Sequence, residues 1–167
     1  QGTYDDVTYW LKNGVVDLGF LSTSSAKDIP IEPLWRDPLL CIVPKGMKKE
    51  KDTDYMDIGE IRNHQFVTQR ESTDADIQNF LKENSINIQS NYHVVDDLST
   101  VAMVANGFGI CLMPQMVMRD IPYEVDCYPV QPYAERVIGL ATLHPEFLAP
   151  AVRSMYNHIL ENYKEDF

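Results

Sequence analysis

The segment DDLSTVAMVANGFGICLMP, residues 96–114, carries the pattern that decides the fold. An apolar stretch of helical length stops at Gly107 and Gly109, continues into a second apolar run and ends at Pro114. A helix at the surface of a protein normally shows one polar face. This helix hardly has one, so we expect other elements to cover it on nearly every side and its polar start to point away from the core.

Length and composition indicate a folded chain of one domain, or of two small lobes. The chain has 167 residues, of which 44% are hydrophobic. No apolar run approaches the ~18 residues that a transmembrane helix needs. The opening residues QGTYDDVTYW lack the basic and apolar regions of a signal peptide and read like the middle of a larger protein.

The net charge argues against nucleic-acid binding by this segment alone. Fourteen Lys and Arg residues stand against 25 Asp and Glu residues, which gives a net charge of −11. Because contacts to the phosphate backbone dominate DNA affinity, such an acidic segment is a poor DNA ligand. It can still be the acidic half of a protein whose other half binds DNA.

The cysteines point to a reducing compartment such as the cytoplasm. There are three of them, Cys41, Cys111 and Cys127, and no C-x-x-C spacing. Cys41 and Cys111 lie inside apolar runs, which is typical of buried thiols that act as small hydrophobic side chains. An odd number of unpaired thiols fits a reducing environment.

Helical and strand patterns alternate along the chain, which predicts an α/β fold with a mainly parallel sheet. Residues 3–13 place Tyr4, Val7, Thr8 and Leu11 on one helical face, with Gly14 as the C-terminal cap. The apolar run 15–21 is typical of a strand covered on both faces. Further strands are predicted at 31–37, 38–44, 65–69, 91–95, 109–114, 125–130 and 136–143, and further helices at 57–63, at 71–85 with a Thr73–Asp76 capping box, at 97–106 and from Pro150 onward.

The motifs of common catalytic and cofactor sites are absent from the sequence. There is no phosphate-binding glycine loop, no dinucleotide fingerprint and no nucleophile elbow. The four histidines share no metal-ligand spacing with each other or with the cysteines. We therefore predict no catalytic residues, no metal and no cofactor, and we interpret Asp96–Asp97 as charges placed against the positive end of a helix dipole.

Three motifs together resemble the effector-binding domain of LysR-type transcriptional regulators. The 96–114 segment matches the family pattern of an acid, a Thr, an apolar helix, Gly-apolar-Gly and a Pro after the strand. WLKNGVVDLGFL, residues 10–21, matches the helix, Gly and Asp that precede an apolar strand, and EPLWRDPLLCIVPKG, residues 32–46, matches the Pro-Leu pair before the strand into the hinge. The residues that fill these patterns are Gly14, Asp17, Pro33, Leu34, Thr100, Val104, Ala105, Gly107, Gly109, Ile110 and Pro114.

The resemblance implies two α/β lobes like those of type 2 periplasmic binding proteins, with a small effector in the cleft between them. Residues 1–45 and 139–167 then form the first lobe and residues 46–138 the second, with a hinge near 43–45 and 141–145. The chain opens on the helix that leads to Gly14, so the first lobe lacks its initial strand, helix and strand and leaves a sheet edge open. The winged helix-turn-helix domain is absent as well.

The resemblance also gives the two glycines and one acid structural roles. Gly107 is expected to end the helix through a left-handed cap, and Gly109 to let the next strand pass close to its neighbour. Asp17 is expected to hold a neighbouring backbone amide at the start of a strand. These are expectations about packing and not about ligand binding.

We expect effector contacts at the start of the 97–106 helix and at two loops. The helix N-terminus, with Asp97, Ser99 and Thr100, is a typical anion site, although Asp97 or Ser99 can equally serve only as the helix cap. The loop 68–73 follows a strand, as ligand-binding loops of α/β sheets do. It offers Gln69, Arg70, Ser72 and Thr73, and Arg70 can clamp a carboxylate or merely pair with Glu71 or Asp74.

The third expected contact is Ser22–Thr23, for which a simple turn is the alternative. Together these residues predict a cytoplasmic sensor of a small, anionic metabolite that acts as a homodimer or tetramer through its regulatory domains. Such a sensor reaches DNA only through the absent N-terminal domain and needs no membrane. The alternative is a solute-binding protein of a transporter with the same fold, and an enzyme would need an acid–base pair or nucleophile that the sequence does not show.

Overall fold

A computed structural model describes residues 2–26, 28–69, 75–88, 90, 92–94 and 96–165. The helices are α1 (Tyr4–Lys12), α2 (Ile58–Ile61), α3 (Ala75–Glu83), α4 (Asp97–Ala105) and α5 (Pro150–Tyr163). The strands are β1 (Gly19–Ser22), β2 (Ile31–Pro44), β3 (Met56–Asp57), β4 (Val67–Gln69), β5 (Tyr92–Val94), β6 (Cys111–Pro114), β7 (Val125–Gln131) and β8 (Glu135–Ala141). None of the described helices is long and apolar enough to cross a membrane.

The chain divides into two compact units. Unit 1 comprises Gln1–Asp37 and Arg136–Phe167, and unit 2 comprises Pro38–Glu135. The chain changes from one unit to the other after Asp37 and again after Glu135, and both positions come earlier than the boundaries at 45 and 139 that the resemblance implies. The difference arises because β2 is one unbroken strand of 14 residues, so the change of unit falls in mid-strand and not at a strand end.

The prediction of two separate strands at 31–37 and 38–44 is therefore wrong. In the sequence Pro38 indicates a strand boundary, but proline is compatible with a strand wherever its missing N–H is not needed by a neighbouring strand. Its carbonyl still accepts a hydrogen bond from the Gln115 N–H at 2.9 Å. The strand thus continues through the proline.

Unit 1 is a small sheet with a helix on each face. β1 pairs antiparallel with β8, from Gly19 opposite Ala141 to Ser22 opposite Ile138, and β8 lies next to β2. Because successive strand residues face opposite sides, Leu21 packs in the cluster with Leu11 of α1, and Leu140 packs in a separate cluster with Ile159 of α5. The predicted inward face of α1 and the left-handed Gly14, with a φ of +66°, are confirmed.

The expected role of Asp17 is wrong. Asp17 is exposed, and none of the described residues gives its carboxylate a hydrogen bond. The strand begins two residues later, at Gly19. The apolar run 15–21 therefore overstates the strand, because its first residues form a bend outside the sheet.

Unit 2 holds a mixed sheet and a parallel pair. The second half of β2 pairs antiparallel with β6 and with β7, while β3 runs parallel to β7 and β4 parallel to β5. The prediction of a mainly parallel sheet is thus wrong, since β1 with β8, β2 with β6 and β2 with β7 are all antiparallel pairs. An apolar run shows that both faces of a strand are covered, but it does not show the direction of the neighbouring strands.

Helix α4 packs by one face and is less covered than its sequence predicts. Thr100, Val101 and Val104 are buried, whereas Leu98 is 47% exposed, so the expectation of cover on nearly every side is wrong. The glycine roles are confirmed. Gly107 has a φ of +80°, and at Gly109 a Cβ would lie 2.9 Å from the Gln65 carbonyl carbon and nearer still to its oxygen.

Candidate functional site

Two strand ends and one helix start meet at one edge of unit 2. The parallel register of β4 and β5 places Gln69 opposite Val94, so both strands end at the same edge. Two residues after Val94, Asp96 opens α4, which packs against β4, β5 and β6. We call the group Thr68, Gln69 and Asp96–Thr100 the edge site. Carboxyl ends of parallel strands are where α/β sheets commonly bind ligands.

The first turn of α4 is capped by Asp96. Its Oδ1 accepts a hydrogen bond from the Ser99 N–H at 2.8 Å, and its Oδ2 accepts one from the Ser99 hydroxyl at 2.9 Å. The Thr100 hydroxyl donates to the Asp96 carbonyl at 2.8 Å. The cap is therefore Asp96, and the alternative that Asp97 or Ser99 caps the helix is wrong.

These hydrogen bonds keep Asp96 ionised. The Ser99 backbone N–H and then the Ser99 hydroxyl lower the pKa of the Asp96 carboxyl below its ordinary value. Asp97 adds a second acid in the same first turn. The start of α4 thus already carries a carboxylate of its own where an external anion would otherwise bind.

Polar groups of β4 and α3 extend the edge site inward. The Thr68 hydroxyl lies 3.2 Å from the Tyr92 carbonyl oxygen, to which it donates, and 3.2 Å from Nδ1 of His93. Thr68, Gln78 and Thr100 line a cavity of about 30 Å³ whose other walls are apolar side chains such as Ile77 and Leu81. That volume suits a water molecule or a methyl-sized group and not a whole metabolite.

The sequence-predicted contacts fall into three groups. Asp97, Ser99 and Thr100 share the first turn of α4, and the backbone of Gln69 ends the neighbouring strand. Ser22 and Thr23 belong to unit 1, where Ser22 is fully buried with its hydroxyl 3.1 Å from that of Ser24, and Thr23 starts a short 3₁₀ turn. Arg70, Glu71, Ser72, Thr73 and Asp74 lie outside the described residues, and so does Thr73 as one half of the predicted Thr73–Asp76 capping box.

Two residues of the edge site, Asp96 and Thr68, and Gln78 of the adjoining cavity are not predicted from the sequence as contributors. The sequence analysis treats Asp96 only as a charge beside the helix dipole, although the spacing Asp96-x-x-Ser99 is a typical N-cap pattern. Thr68 and Gln78 carry no sequence signal of their own, because only the packing of α3 on β4 brings them to the same cavity. Within the described part of the chain, no three His, Cys, Asp or Glu side chains are grouped so as to hold a metal ion.

Comparison with known proteins identifies the family. The LysR substrate binding domain family matches residues 1–164. "Probable HTH-type transcriptional regulator LrrA" of Synechococcus elongatus (strain ATCC 33912 / PCC 7942 / FACHB-805) is 25% identical over 144 residues, which are 85% of this chain and 48% of the relative. "Uncharacterized HTH-type transcriptional regulator YybE" of Bacillus subtilis (strain 168) is 25% identical over 166 residues, 95% of this chain and 56% of the relative. The chain spans about half the length of these curated relatives.

Solved structures show the same fold. The effector binding domain of QuiR in complex with shikimate superposes with a TM-score of 0.83 at 23% identity, covering 96% of this chain and 78% of that one. The regulatory domain of CcmR from Synechocystis PCC6803 in complex with 2-PG has a TM-score of 0.83 at 15% identity, covering 98% of this chain and 81% of that one. The fold is thus the α/β fold of type 2 periplasmic-binding-like effector domains. By the match over nearly its whole length, the chain belongs to the LysR substrate binding domain family.

Proposed function

We propose that this chain is the effector-binding regulatory domain of a LysR-type bacterial transcription factor. The observation that carries the proposal is the family match over residues 1–164, together with curated relatives that are HTH-type regulators about twice as long. In this role the chain senses a small metabolite and controls DNA binding by a helix-turn-helix domain outside the sequence. The net charge of −11 supports the proposal that the helix-turn-helix domain, and not this acidic chain, makes the contacts with DNA.

The proposed setting is the cytoplasm, with a homodimer or tetramer held together through regulatory domains. A sensor of this kind needs no catalytic group, and we propose that the chain is not an enzyme. The transporter alternative is disfavoured because the curated relatives are transcriptional regulators.

We propose that the effector binds at the edge site and is a small organic acid. Thr68, Ser99 and Thr100 supply hydroxyl groups there, and the strand-end loop supplies Gln69, Arg70, Ser72 and Thr73 in sequence. QuiR and CcmR, which share the fold, were solved with shikimate and 2-PG. Ser22 and Thr23 remain proposed contacts from unit 1.

The electrostatics of α4 suggest how such an acid is oriented. Because the Asp96 carboxylate occupies the start of α4, the anionic group of the effector is expected at Arg70, the one arginine of the strand-end loop. A hydroxyl of the effector can instead donate to Asp96 or Asp97. This arrangement favours hydroxy acids over simple dianions.

Regulation requires that the effector bind one conformation of the chain more tightly than another. A coupling free energy of about 1–3 kcal/mol between effector and DNA sites is typical of such proteins. A ligand with equal affinity for both conformations would change nothing, however tightly it bound.

Thermal unfolding against a panel of small organic acids and neutral analogues, including shikimate and 2-phosphoglycolate, tests the proposal. Binding at a hundredfold excess over Kd adds about 2.7 kcal/mol, which raises Tm by roughly 5–10 °C for a domain of this size. We expect one chemical class to give this shift and Arg70→Ala or Thr100→Val to abolish it. Arg119→Ala, which changes an exposed arginine of unit 2 that is not one of the edge-site residues, is the control that should keep it. No shift with any acid from a folded sample would overturn the proposal.

A further inference from the structure

We propose that the small cavity at the edge site is a subsite that accepts one hydroxyl group of the effector. The inference rests on the proposed function, because it names a group by which the same site recognises its organic acid. The cavity measures about 30 Å³ and is lined by Thr68, Gln78 and Thr100 among apolar side chains. The residues that line it all belong to unit 2. Asp96 and Asp97 favour a hydroxyl through their charge, whereas the cavity favours one through its size and hydrogen-bond pattern.

The size of the cavity limits what can enter it. A water molecule occupies about 30 Å³ in the liquid, and a hydroxyl, an amino or a methyl group has a similar size. A carboxylate has three heavy atoms and is too large for this volume. The part of the effector that enters is therefore one small substituent, and the carboxylate of the acid stays outside the cavity.

The two threonine hydroxyls of the lining donate their hydrogens to acceptors outside the cavity. The Thr100 hydroxyl donates to the Asp96 carbonyl at 2.8 Å, and the Thr68 hydroxyl donates to the Tyr92 carbonyl at 3.2 Å. Neither of these acceptors belongs to the lining. A hydroxyl group has one hydrogen and two lone pairs. Each threonine can therefore accept a hydrogen bond from a group in the cavity but has no hydrogen left to donate to it.

The neighbouring histidine does not change this result. Nδ1 of His93 lies 3.2 Å from the Thr68 hydroxyl oxygen. If this nitrogen accepts, the Thr68 hydrogen is directed at His93, and if it donates, the Thr68 hydrogen stays on the Tyr92 carbonyl. In both cases the hydrogen is directed at a residue outside the lining, so Thr68 offers the cavity only lone pairs.

The apolar walls make this pattern selective. Ile77, Leu81 and Leu112 are buried and offer no hydrogen bond to a group in the cavity. A substituent that can only accept would face the threonine lone pairs, and a buried polar group without a partner costs free energy. A charged amino group is disfavoured as well, because burial of a charge among apolar side chains is costlier still.

A hydroxyl group satisfies the lining on both sides. Its hydrogen can go to the oxygen of Thr68 or Thr100. Gln78 is exposed, and its amide can donate as well as accept, so it can serve the hydroxyl oxygen. A methyl group fits the same volume but makes none of these hydrogen bonds. The cavity should therefore distinguish a hydroxyl from a methyl group at the same position of an acid.

Pairs of acids that exchange a hydroxyl for a methyl group test the subsite. The probes are lactate with 2-methylpropanoate, malate with methylsuccinate, and 2-hydroxybenzoate with 2-methylbenzoate, and calorimetry measures the Kd of each. Thr68→Val makes the same exchange on the protein, and Thr68→Ser keeps the hydroxyl. Thr53→Val is the matched control, because the Thr53 hydroxyl also donates to a backbone carbonyl, that of Tyr55 at 2.8 Å, and Thr53 is not in the lining.

We expect the hydroxyl member of a pair to bind the parent chain about two- to tenfold more tightly than the methyl member, as one neutral hydrogen bond allows. Thr68→Val should remove most of this preference, and Thr68→Ser and Thr53→Val should keep it. Equal affinities within every pair, or an unchanged preference in folded Thr68→Val, would overturn the subsite and leave the proposed function standing. If Thr68→Val does not fold, the comparison in the parent chain decides alone. Absence of binding by all six probes would overturn the acid assignment and the subsite together.

Discussion

Substitution of Gly109 by Ala is expected to destabilise unit 2 strongly. Gly109 has a φ of +149°, a backbone conformation that side chains disfavour, and a Cβ would overlap the Gln65 carbonyl group. The Gln65 oxygen cannot simply retreat, because it accepts the Ile110 N–H at 2.8 Å. That hydrogen bond and the return bond from the Val67 N–H to the Ile110 carbonyl at 2.9 Å attach β4 to the start of β6.

The expected loss follows from two separate costs. A residue held in a sparsely populated backbone region costs about 1–3 kcal/mol. Loss of the hydrogen bond to Gln65 adds about 0.5–1.5 kcal/mol. The sum, about 1.5–4.5 kcal/mol, corresponds to a fall in Tm of roughly 3–18 °C for a chain of this length.

Gly107→Ala is the matched control, and urea unfolding is the assay. Gly107 also has a positive φ, +80°, but among the described residues no atom beyond its own chain neighbours lies within 4 Å of the position that a Cβ would take. The free energy of unfolding of this variant should fall only by the cost of a left-handed backbone at a residue other than glycine, about 1–2 kcal/mol. Equal losses in free energy of unfolding for the two variants would refute the argument that close approach to Gln65 requires glycine at 109.

Two further predictions concern ionisable groups. Because the pKa of Asp96 is lowered in the folded chain, its stabilising contribution is complete above the ordinary value of 3.8 and is lost as pH falls through the folded pKa. Asp96→Asn should therefore make the free energy of unfolding in urea depend less on pH in the acid range, while leaving it nearly unchanged at pH 7. An unchanged acid dependence would contradict the capping geometry. Burial raises the pKa of the Cys41 thiol, and Cys111 is buried too. A thiol reagent should therefore modify only Cys127 in the native chain, and all three cysteines after unfolding. Fast modification of a second cysteine in the native chain would contradict the packing of β2 and β6.

The glycines and the helix ends were predictable because local physics determines them. A positive φ is a strong local demand, so Gly14 and Gly107 mark helix ends in the sequence as clearly as in the structure. The amphipathic stripes of α1 and α5 are equally local. The family pattern around Gly109 predicted that its backbone lies close to a neighbouring segment. Only the fold shows that this segment is Gln65.

Strand direction and the positions of the boundaries between the two units were not predictable, because they depend on partners far apart in sequence. Pro38 carries the same local signal whether a strand ends there or changes partners there. The N-cap of α4 was ambiguous for a different reason, since two acids and two hydroxyls stand side by side at 96–100. The extended backbone of Asp96, with φ −140° and ψ 162°, decides between them.

Mapping of effector binding on the backbone amides tests the central claim most directly. The chain would be labelled with ¹⁵N and titrated with the organic acid that gives the largest rise in Tm. We predict that the amide shifts cluster at Thr68–Gln69 and Asp97–Thr100 and disappear in Arg70→Ala. Shifts confined to unit 2 surfaces away from the edge site, or none at saturating acid, would contradict the assignment of this edge as the effector site.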